Sequence, residues 1–277
     1  MTSILVTGAS TGIGRATAIA LAARGSRVFA GVRQIDDAPP PTVPLLLDVT
    51  NPDHVAATAS RLAAEELGAV INNAGYNYVS AFEYAEETQA RRLLETNFFG
   101  LYRLSNALIP HLARYAGSHP GRTAKLINIS SIGGYIGLPW EVFYHASKFA
   151  VVGLTEGLRA ELWPLNIRAV AVCPGGIKTP FLPKTEVGVA AAAAALPATS
   201  APHYRSSLAQ FGRIAQAAAR FGASPARVAD RIARVIEQRN PAVRQLVGID
   251  AHILFALSRL LPQAALGAFV RSQLVRS

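Results

Sequence analysis

The sequence predicts an α/β protein with one doubly wound domain, in which helices cover both faces of a seven-stranded parallel sheet. Short apolar runs alternate with helical stretches along the chain, and such alternation is typical of parallel sheets. A glycine-rich turn directly follows the first apolar run. The 277 residues, 51% of them hydrophobic, are enough for one large domain with a sizeable core.

The expected strands are short apolar runs, many of them rich in β-branched residues, which favour strands. They are Ser3–Thr7, Arg27–Val32, Leu45–Leu47, Ala69–Asn72, Ala124–Ser130, Ile167–Cys173 and Arg244–Val247. Longer stretches between them are the expected helices, namely Ile13–Arg24, Val55–Leu67, Thr88–Tyr115, Tyr144–Trp163 and Pro225–Gln238. The proline-rich segment Asp36–Pro44 takes the place of a helix after the second strand, and the alanine run in Lys178–Ser206 favours helix.

The first strand leads into a glycine loop that suits a dinucleotide. Gly8, Gly12 and Gly14 fall in T-G-A-S-T-G-I-G-R, with the spacing G-x-x-x-G-x-G. Glycines allow a tight turn and close approach of the backbone to a pyrophosphate, and the following helix N-terminus attracts the phosphate charge. The alternative is a glycine-rich turn that binds nothing. It is not a Walker loop, since neither Lys-Ser nor Lys-Thr follows the last glycine.

A second motif lies near the middle of the chain. Tyr144 and Lys148 are four residues apart, and Ser131 precedes the tyrosine by 13 residues. Positions i and i+4 share one face of a helix, so the ammonium group is expected beside the phenol. A nearby cation stabilises phenolate, so the pKa of Tyr144 is expected to fall into a range that suits proton transfer. Ser131 is expected to donate a hydrogen bond to a carbonyl oxygen in the same pocket.

With both motifs in place, the chain resembles a short-chain dehydrogenase/reductase of the single-domain Rossmann type, over roughly residues 3–250. The resemblance places a domain at 1–250, with a substrate loop at about 178–206, and a helical extension at 251–277. The middle of the chain looks most like the hydroxysteroid- and retinol-dehydrogenase branch. The matching motifs, in order, are the glycine loop, Asp48-Val49, Asn72-Asn73-Ala74-Gly75, Asn97, Ser130-Ser131, Tyr144 with Lys148, and Pro174-Gly175 with Thr179.

The resemblance also implies roles for single residues. Asn97, in a locally distorted helix, would hold a water that links Lys148 to solvent, and would complete a catalytic set with Ser131 and Tyr144. Lys148 would also bind the nicotinamide ribose. The implied cofactor-binding set is Gly8, Ser10, Gly12, Ile13, Gly14, Arg33, Asp48, Val49, Asn73, Ala74, Gly75, Tyr144, Lys148, Pro174, Gly175, Ile177 and Thr179.

Arg33 decides the expected cofactor. Val32 fills the place at the end of the second strand where NAD-dependent enzymes usually carry an acid for the ribose 2′-hydroxyl. Arg33 follows it, and an arginine suits a 2′-phosphate through charge-assisted, bidentate hydrogen bonds. The alternative is a solvated surface arginine. The sequence thus predicts NADP(H).

These features together predict an NADP(H)-dependent oxidoreductase that moves hydride reversibly between nicotinamide and a bulky lipophilic ketone, aldehyde or secondary alcohol. A β-ketoacyl-type reductase and a non-catalytic NADP-binding sensor module remain as alternatives.

His145 is expected to be structural or to lie at the pocket rim. The candidate pocket walls are mostly apolar or aromatic, namely Tyr135, Ile136, Leu138, Trp140, Phe143, Phe181 and Leu182.

Composition and the C-terminal extension set expectations about partners and location. The single cysteine, Cys173, cannot form an internal disulfide, and the six histidines lack a metal-binding spacing. A cytoplasmic protein without a metal is therefore expected. The net charge of +10 is attributed to a solvated basic face, so no nucleic acid is expected.

The apolar stretch Ala251–Ser277 is interrupted too often by polar residues and proline to span a membrane. A lid or subunit contact is favoured for it, a membrane-surface contact stays open, and the family implies a homodimer or homotetramer.

Overall fold

The computed structural model describes residues 2–179, 181–197, 199 and 202–274, and only the backbone of 181–184, 202–203, 219 and 274. Its strands are β1 (Ser3–Thr7), β2 (Arg27–Val32), β3 (Val43–Leu46), β4 (Leu67–Asn72), β5 (Ala124–Ile129), β6 (Ile167–Pro174) and β7 (Arg244–Val247). They form one sheet in the order β3-β2-β1-β4-β5-β6-β7, and every neighbouring pair is parallel. The predicted fold class is confirmed, with strand ends that differ by at most two residues.

Helices cover both faces of this sheet. Their bounds are α1 (Gly12–Ala23), α2 (Pro52–Arg61), α3 (Glu87–Leu94), α4 (Leu101–Ser118), α5 (Val142–Glu161), α6 (Phe181–Ala195), α7 (Pro202–Phe221), α8 (Pro225–Glu237), α9 (Ile249–Leu260) and α10 (Gln263–Leu274). Helices α1 and α8 pack on one face. Helices α2 and α4 pack on the other. Since strand side chains alternate between faces, Ile4 and Val6 belong to the first core and Leu5 to the second.

Two predicted helices needed correction. Helix α2 begins at Pro52 rather than Val55, because the Asn51 side chain accepts hydrogen bonds from the Asp53 and His54 amides and so caps the helix there. It ends at Arg61, well before the predicted Leu67. The helix predicted over Thr88–Tyr115 is divided, because residues Glu95–Gly100 form a π-helical segment between α3 and α4.

The segment predicted as a substrate loop is mostly helical. Helix α6 contains the alanine run, and α7 extends to Phe221, well beyond the predicted end of the loop at Ser206. No element is predicted for residues 207–224. The signal was present, because Leu208, Phe211 and Ile214 recur every three residues and pack together in a small third core.

The predicted extension is helical as expected. Helix α9 begins at Ile249 and packs on β7, whereas α10 packs on α7. The Phe255 ring meets the Tyr135 ring edge-on at 4.9 Å. The last residues of the chain, 275–277, lie outside the described residues. Across the described ranges, no helix has both the length and the apolar character that crossing a bilayer requires.

Candidate active site

The carboxyl ends of β1 and β4 meet where the strand order reverses, which is where doubly wound sheets place their ligands. Thr7 ties the two strands together, because its Oγ1 accepts hydrogen bonds from the Asn73 and Ala74 amides, both at 2.9 Å. The Asn73 side-chain amide donates to the carbonyl oxygens of Thr7 at 2.9 Å and Gly8 at 3.2 Å. The predicted glycine loop and the predicted Asn73-Ala74-Gly75 segment are therefore adjacent. Thr7 was not among the predicted site residues.

The glycine loop has the backbone that a phosphate-binding turn requires. Gly8 and Gly12 have φ angles of 61° and 57°, in the left-handed region that favours glycine. Helix α1 follows, and its N-cap residue Thr11 makes no side-chain cap hydrogen bond. Helix N-termini with free amides attract phosphate. These residues therefore fit a dinucleotide pyrophosphate.

Gly14→Ala is expected to lower the free energy of unfolding by roughly 1–3 kcal/mol and to weaken dinucleotide binding. A methyl group at this position would collide with the Gly8 carbonyl oxygen and the Asn73 side-chain amide. Urea denaturation and a cofactor titration measure both effects. Gly157→Ala in α5 is the matched control, because a methyl there meets nothing within 4 Å and alanine favours helix. A Gly14→Ala protein as stable as the wild type would contradict the packing described here.

The residues expected to bind the adenosine follow strands β2 and β3. Arg33 follows β2 directly and is exposed. Burial would raise the pKa of Asp48, but hydrogen bonds from the Thr50 hydroxyl and amide, at 2.7 Å and 2.9 Å, and the charge of Arg33 outweigh it, so the pKa is lowered. Val49 is buried against the π segment near Gly100. An ionised Asp48 and the guanidinium of Arg33 therefore lie near the place expected for the adenosine.

Two further predicted residues lie around the loop. Ser10 is half-buried in it, and Ile13 packs against the first core from the start of α1.

The residues expected to contact the nicotinamide follow strand β6. Pro174 ends that strand, and the Gly175 amide donates to the Val247 carbonyl oxygen at 3.0 Å. The Gly176 amide donates to Asp250 Oδ2 at 2.6 Å, a contact that was not predicted. Ile177 forms a bridge with Ala223, and a Cβ on Gly12 would lie 3.5 Å from the Thr179 Cβ. Residues 174–179 therefore run from the β6 end back to the glycine loop.

Tyr144, Lys148 and Ser131 come together as predicted. The Tyr144 hydroxyl is hydrogen-bonded to Ser131, and Lys148 Nζ lies 5.6 Å from the centroid of the tyrosine ring. Lys148 Nζ also donates to the Ile129 carbonyl oxygen at 2.9 Å. Ser131 Oγ accepts from the Gly133 amide at 3.0 Å, which fixes its orientation.

The expected fall in the pKa of Tyr144 is not found. Burial raises it, and the negative charge of Glu141 adds to this, against a smaller lowering by the Ser131 hydrogen bond. Burial also lowers the pKa of Lys148 to about 8, which weakens the cation on which the expectation rested. Tyr144 is therefore a protonated phenol at neutral pH.

Asn97 occupies the π segment, which matches the distorted helix expected there. Its Oδ1 accepts from the Tyr76 amide at 3.0 Å, and its Nδ2 donates to the Tyr76 carbonyl at 2.9 Å and to Ser147 Oγ at 3.1 Å. A Cβ on Gly75 would lie 3.0 Å from Asn97 Oδ1 and 3.7 Å from Lys148 Nζ. Asn97 therefore connects the segment after β4 to the part of the site that contains Lys148.

His145 is buried, and its ring meets the Tyr144 ring edge-on, with the ring centroids 5.7 Å apart. Its Nδ1 lies 2.9 Å from the Gly133 carbonyl oxygen, and burial lowers its pKa, so the ring is neutral. Its Nε2 lies 3.7 Å from Glu141 Oε2. Glu141 in turn accepts a short hydrogen bond from the Asn77 side-chain amide. Neither Asn77 nor Glu141 was predicted as a site residue.

The candidate wall residues do not line a single pocket. Trp140 belongs to the third core, where its indole donates to Ser207 Oγ at 3.1 Å. Phe143 stacks on Tyr78 and Phe82, whereas Leu138 faces an apolar groove of about 530 Å³ between α5 and Val270 of α10. Ile136 is buried, Tyr135 meets α9, and the side chains of Phe181 and Leu182 are outside the described residues.

Comparisons with known proteins identify the family. The family model for short chain dehydrogenases matches residues 2–188. The 3-ketodihydrosphingosine reductase of Bacteroides thetaiotaomicron is 33% identical over 258 residues, which cover 92% of this chain and 91% of the relative. The 3-oxoacyl-(acyl-carrier-protein) reductase of Thermotoga maritima is 29% identical over 192 residues, covering 65% and 76%. A short chain dehydrogenase from Burkholderia cenocepacia, solved in complex with NADP, is 28% identical, with a TM-score of 0.72 and coverage of 100% and 98%.

A parallel sheet with a glycine loop and a Ser-Tyr-Lys cluster at its carboxyl edge agrees with these matches. The chain belongs to the short-chain dehydrogenase/reductase family. It is an oxidoreductase of that family.

Proposed function

We propose that this protein is an NADP(H)-dependent oxidoreductase that interconverts a bulky lipophilic ketone or aldehyde and the corresponding alcohol. The observation that carries the proposal is the Ser131–Tyr144 hydrogen bond, with Lys148 beside the phenol ring. This cluster lies at the same sheet edge as the glycine loop. A bound nicotinamide supplies or accepts the hydride.

The chain's own groups handle the proton and the carbonyl oxygen. The buried, protonated Tyr144 hydroxyl donates a proton to the carbonyl oxygen in reduction and takes it back in oxidation. Ser131 holds the same oxygen by a hydrogen bond. Lys148 binds the nicotinamide ribose hydroxyls, and Asn97 organises the route by which Lys148 exchanges protons with solvent.

Three groups of residues would hold the cofactor. The pyrophosphate would lie on the glycine loop and the α1 N-terminus, at Gly8, Ser10, Gly12, Ile13 and Gly14. The adenosine would lie against Arg33, Asp48, Val49, Asn73, Ala74 and Gly75. The nicotinamide would lie against Pro174, Gly175, Ile177 and Thr179, beside Tyr144 and Lys148.

Arg33→Ala is expected to raise the Kd for NADPH roughly ten- to hundredfold, because a hydrogen-bonded charge contact contributes about 1.5–3 kcal/mol. The Kd for NADH should change little, since NADH has no 2′-phosphate. Fluorescence titration of both cofactors gives the ratio directly. Arg227→Ala, at an exposed position of α8, controls for the loss of one positive charge. An unchanged preference in the Arg33 variant would remove the support for NADP(H).

The substrate class rests on apolar surroundings and on one relative. The groove beside α5 is lined mainly by apolar side chains, among them Leu138, Val142, Phe149 and Val270. The 3-ketodihydrosphingosine reductase matches this chain through nearly its whole length, whereas the 3-oxoacyl-(acyl-carrier-protein) reductase covers 65% of it. The lipophilic ketone is therefore favoured over the β-ketoacyl substrate.

Exposed aromatic side chains support the expected homodimer or homotetramer. Phe99 of the π segment and Tyr102 of α4 expose 46% and 52% of their surfaces. Apolar side chains in such positions favour burial against another subunit.

The test is consumption of NADPH, with NADH in parallel, over a panel of apolar ketones and aldehydes of increasing chain length. Turnover that prefers NADPH and increases with chain length would support the proposal. Turnover only with β-ketoacyl thioesters would favour the alternative substrate. Cofactor binding without turnover of any carbonyl compound would favour the sensor module.

A further inference from the structure

Glu141 is a buried carboxylate next to the proposed proton donor. Its side chain is 14% exposed, and burial raises its pKa to about 7. It is the N-cap residue of α5, yet its side chain makes no cap hydrogen bond. Its Oε1 instead accepts from the Asn77 side-chain amide. The carboxylate is therefore free of the hydrogen bonds that an N-cap side chain usually makes to its own helix.

In the described part of the chain, Glu141 also has no cationic partner. The chain has 27 lysines and arginines for 17 acids, and within the described ranges Glu65, Glu87, Glu95, Glu156 and Glu237 each form an ion pair with arginine. Among the residues that the structure describes, His145 is the only basic group within ion-pair distance of Glu141. Because burial keeps that imidazole neutral, the negative charge is not neutralised from within the described part of the chain.

Two acceptor atoms of the side chains beside the carboxylate lack a donor among the described residues. His145 Nδ1 faces the Gly133 carbonyl oxygen, so it must carry the ring proton, and Nε2 is then an acceptor. Nε2 lies 3.7 Å from Glu141 Oε2, and it has no hydrogen-bond partner among the described residues. The same holds for Asn77 Oδ1, whose amide group donates to Glu141. Three acceptors from Glu141, His145 and Asn77 therefore favour a cationic donor.

Glu141 lies next to the proposed proton donor, and His145 of the same cluster lines the apolar groove. Residues three and four apart are neighbours on a helix, so Glu141 is adjacent to both Tyr144 and His145 on α5. The charge of Glu141 acts on the Tyr144 hydroxyl, and His145 also lines the 530 Å³ groove. A substrate whose carbonyl oxygen meets Tyr144 would thus place an adjacent substituent near Glu141.

We propose that Glu141, with His145 and Asn77, forms a cation subsite that binds a protonated amine close to the substrate carbonyl. The inference rests on the proposed function, because it assigns the substrate of that site to the amino ketones and the corresponding amino alcohols. Glu141 is a specificity-determining residue in this role. The ammonium group supplies the missing donor and neutralises the buried charge.

The test compares two ketones that differ in one atom. One is 1-(dimethylamino)octan-2-one in its protonated form, and the other is its carbon isostere 2-methyldecan-4-one. The wild-type enzyme with NADPH is expected to show a kcat/KM at least tenfold higher for the amino ketone. Glu141→Gln, which keeps the size and the oxygen acceptor for Asn77, is expected to lower this ratio at least tenfold, since a buried charge pair is lost.

Glu161→Gln, at an exposed position of the same helix, is the matched control and should keep the wild-type ratio. A Glu141→Gln enzyme that loses activity on both ketones by the same factor would overturn the proposal, because it would show a structural role. A wild-type enzyme that reduces both ketones without preferring the amino ketone would overturn it as well.

A binding measurement separates this proposal from the proposed function. With NADP⁺ present, calorimetry should show that Glu141→Gln binds the alcohol 1-(dimethylamino)octan-2-ol at least tenfold more weakly than the wild type does. If the wild type reduces neither ketone but this loss is seen, the reduction is wrong and the cation subsite stands. If the wild type and Glu141→Gln bind the amino alcohol equally, the subsite is wrong whatever the enzyme reduces.

Discussion

Tyr144→Phe is expected to lower kcat for ketone reduction about a hundred- to ten-thousandfold, the usual contribution of a positioned general acid. The phenylalanine keeps the ring beside Lys148 and removes only the hydroxyl that is bonded to Ser131. Steady-state kinetics with NADPH measures the loss, and an NADPH titration shows whether cofactor binding is retained.

The matched control for this prediction is Tyr115→Phe. Tyr115 is buried, and its hydroxyl lies 3.4 Å from the Thr2 hydroxyl near the amino end of the sheet. Removing that hydroxyl should leave the rate within a few-fold of the wild type. A Tyr144→Phe enzyme with full turnover would show that another group delivers the proton, and the proposed mechanism would be wrong.

Glu141→Gln is expected to raise the free energy of unfolding above about pH 7 by up to about 3 kcal/mol in the absence of substrate. The carboxyl has an ordinary pKa of 4.5 and a pKa of about 7 in the folded chain, mainly because of burial. Between these values the unfolded chain releases the proton and the folded chain keeps it, so stability falls as pH rises. The cost is complete above pH 7 and absent below pH 4.5. Glutamine cannot ionise and avoids it.

Urea denaturation at about pH 5 and about pH 8 measures this difference. The gain in stability should be small at the lower pH and near its full size at the higher one. Glu161→Gln, at an exposed position, should show neither. An equal stability of Glu141→Gln and wild type at both pH values would mean that the carboxyl is better solvated than its burial indicates. A residue that lowers stability is typical of a binding site.

The sheet and the site motifs were predictable because their signals are local. Each strand is a short apolar run, and the glycine loop and the Tyr144–Lys148 spacing are determined by a few consecutive residues. Because β1 and β4 are neighbouring parallel strands, their carboxyl ends then lie at the same edge of the sheet.

The missed residues depend on contacts that are remote in sequence. Thr7 bonds to residues 66 and 67 positions later, Asp250 to Gly176 across 74 positions, and Asn77 to Glu141 across 64. Nothing in the local pattern marks these side chains. The expected pKa of Tyr144 was wrong for a related reason, because it considered one neighbouring charge and not the burial that the fold imposes.

Trp140 shows the opposite error. Its aromatic character suggested a pocket wall, but the backbone has a φ of 72° at Trp140. The side chain is 4% exposed and packs beside the Tyr204 ring, with centroids 5.8 Å apart. Tight packing of the side chain can hold a strained backbone conformation of this kind. The sequence reveals neither the packing nor the conformation.

The contact between Asp250 and the Gly176 amide connects the start of α9 to the backbone just beyond β6. That backbone is the segment proposed to face the nicotinamide. Helix α9 is therefore tied to this segment, and a tag, truncation or bound partner that displaces α9 is expected to disturb the proposed cofactor site. Engineering of the chain terminus for immobilisation or fusion should therefore keep the residues up to at least the first turn of α9 intact.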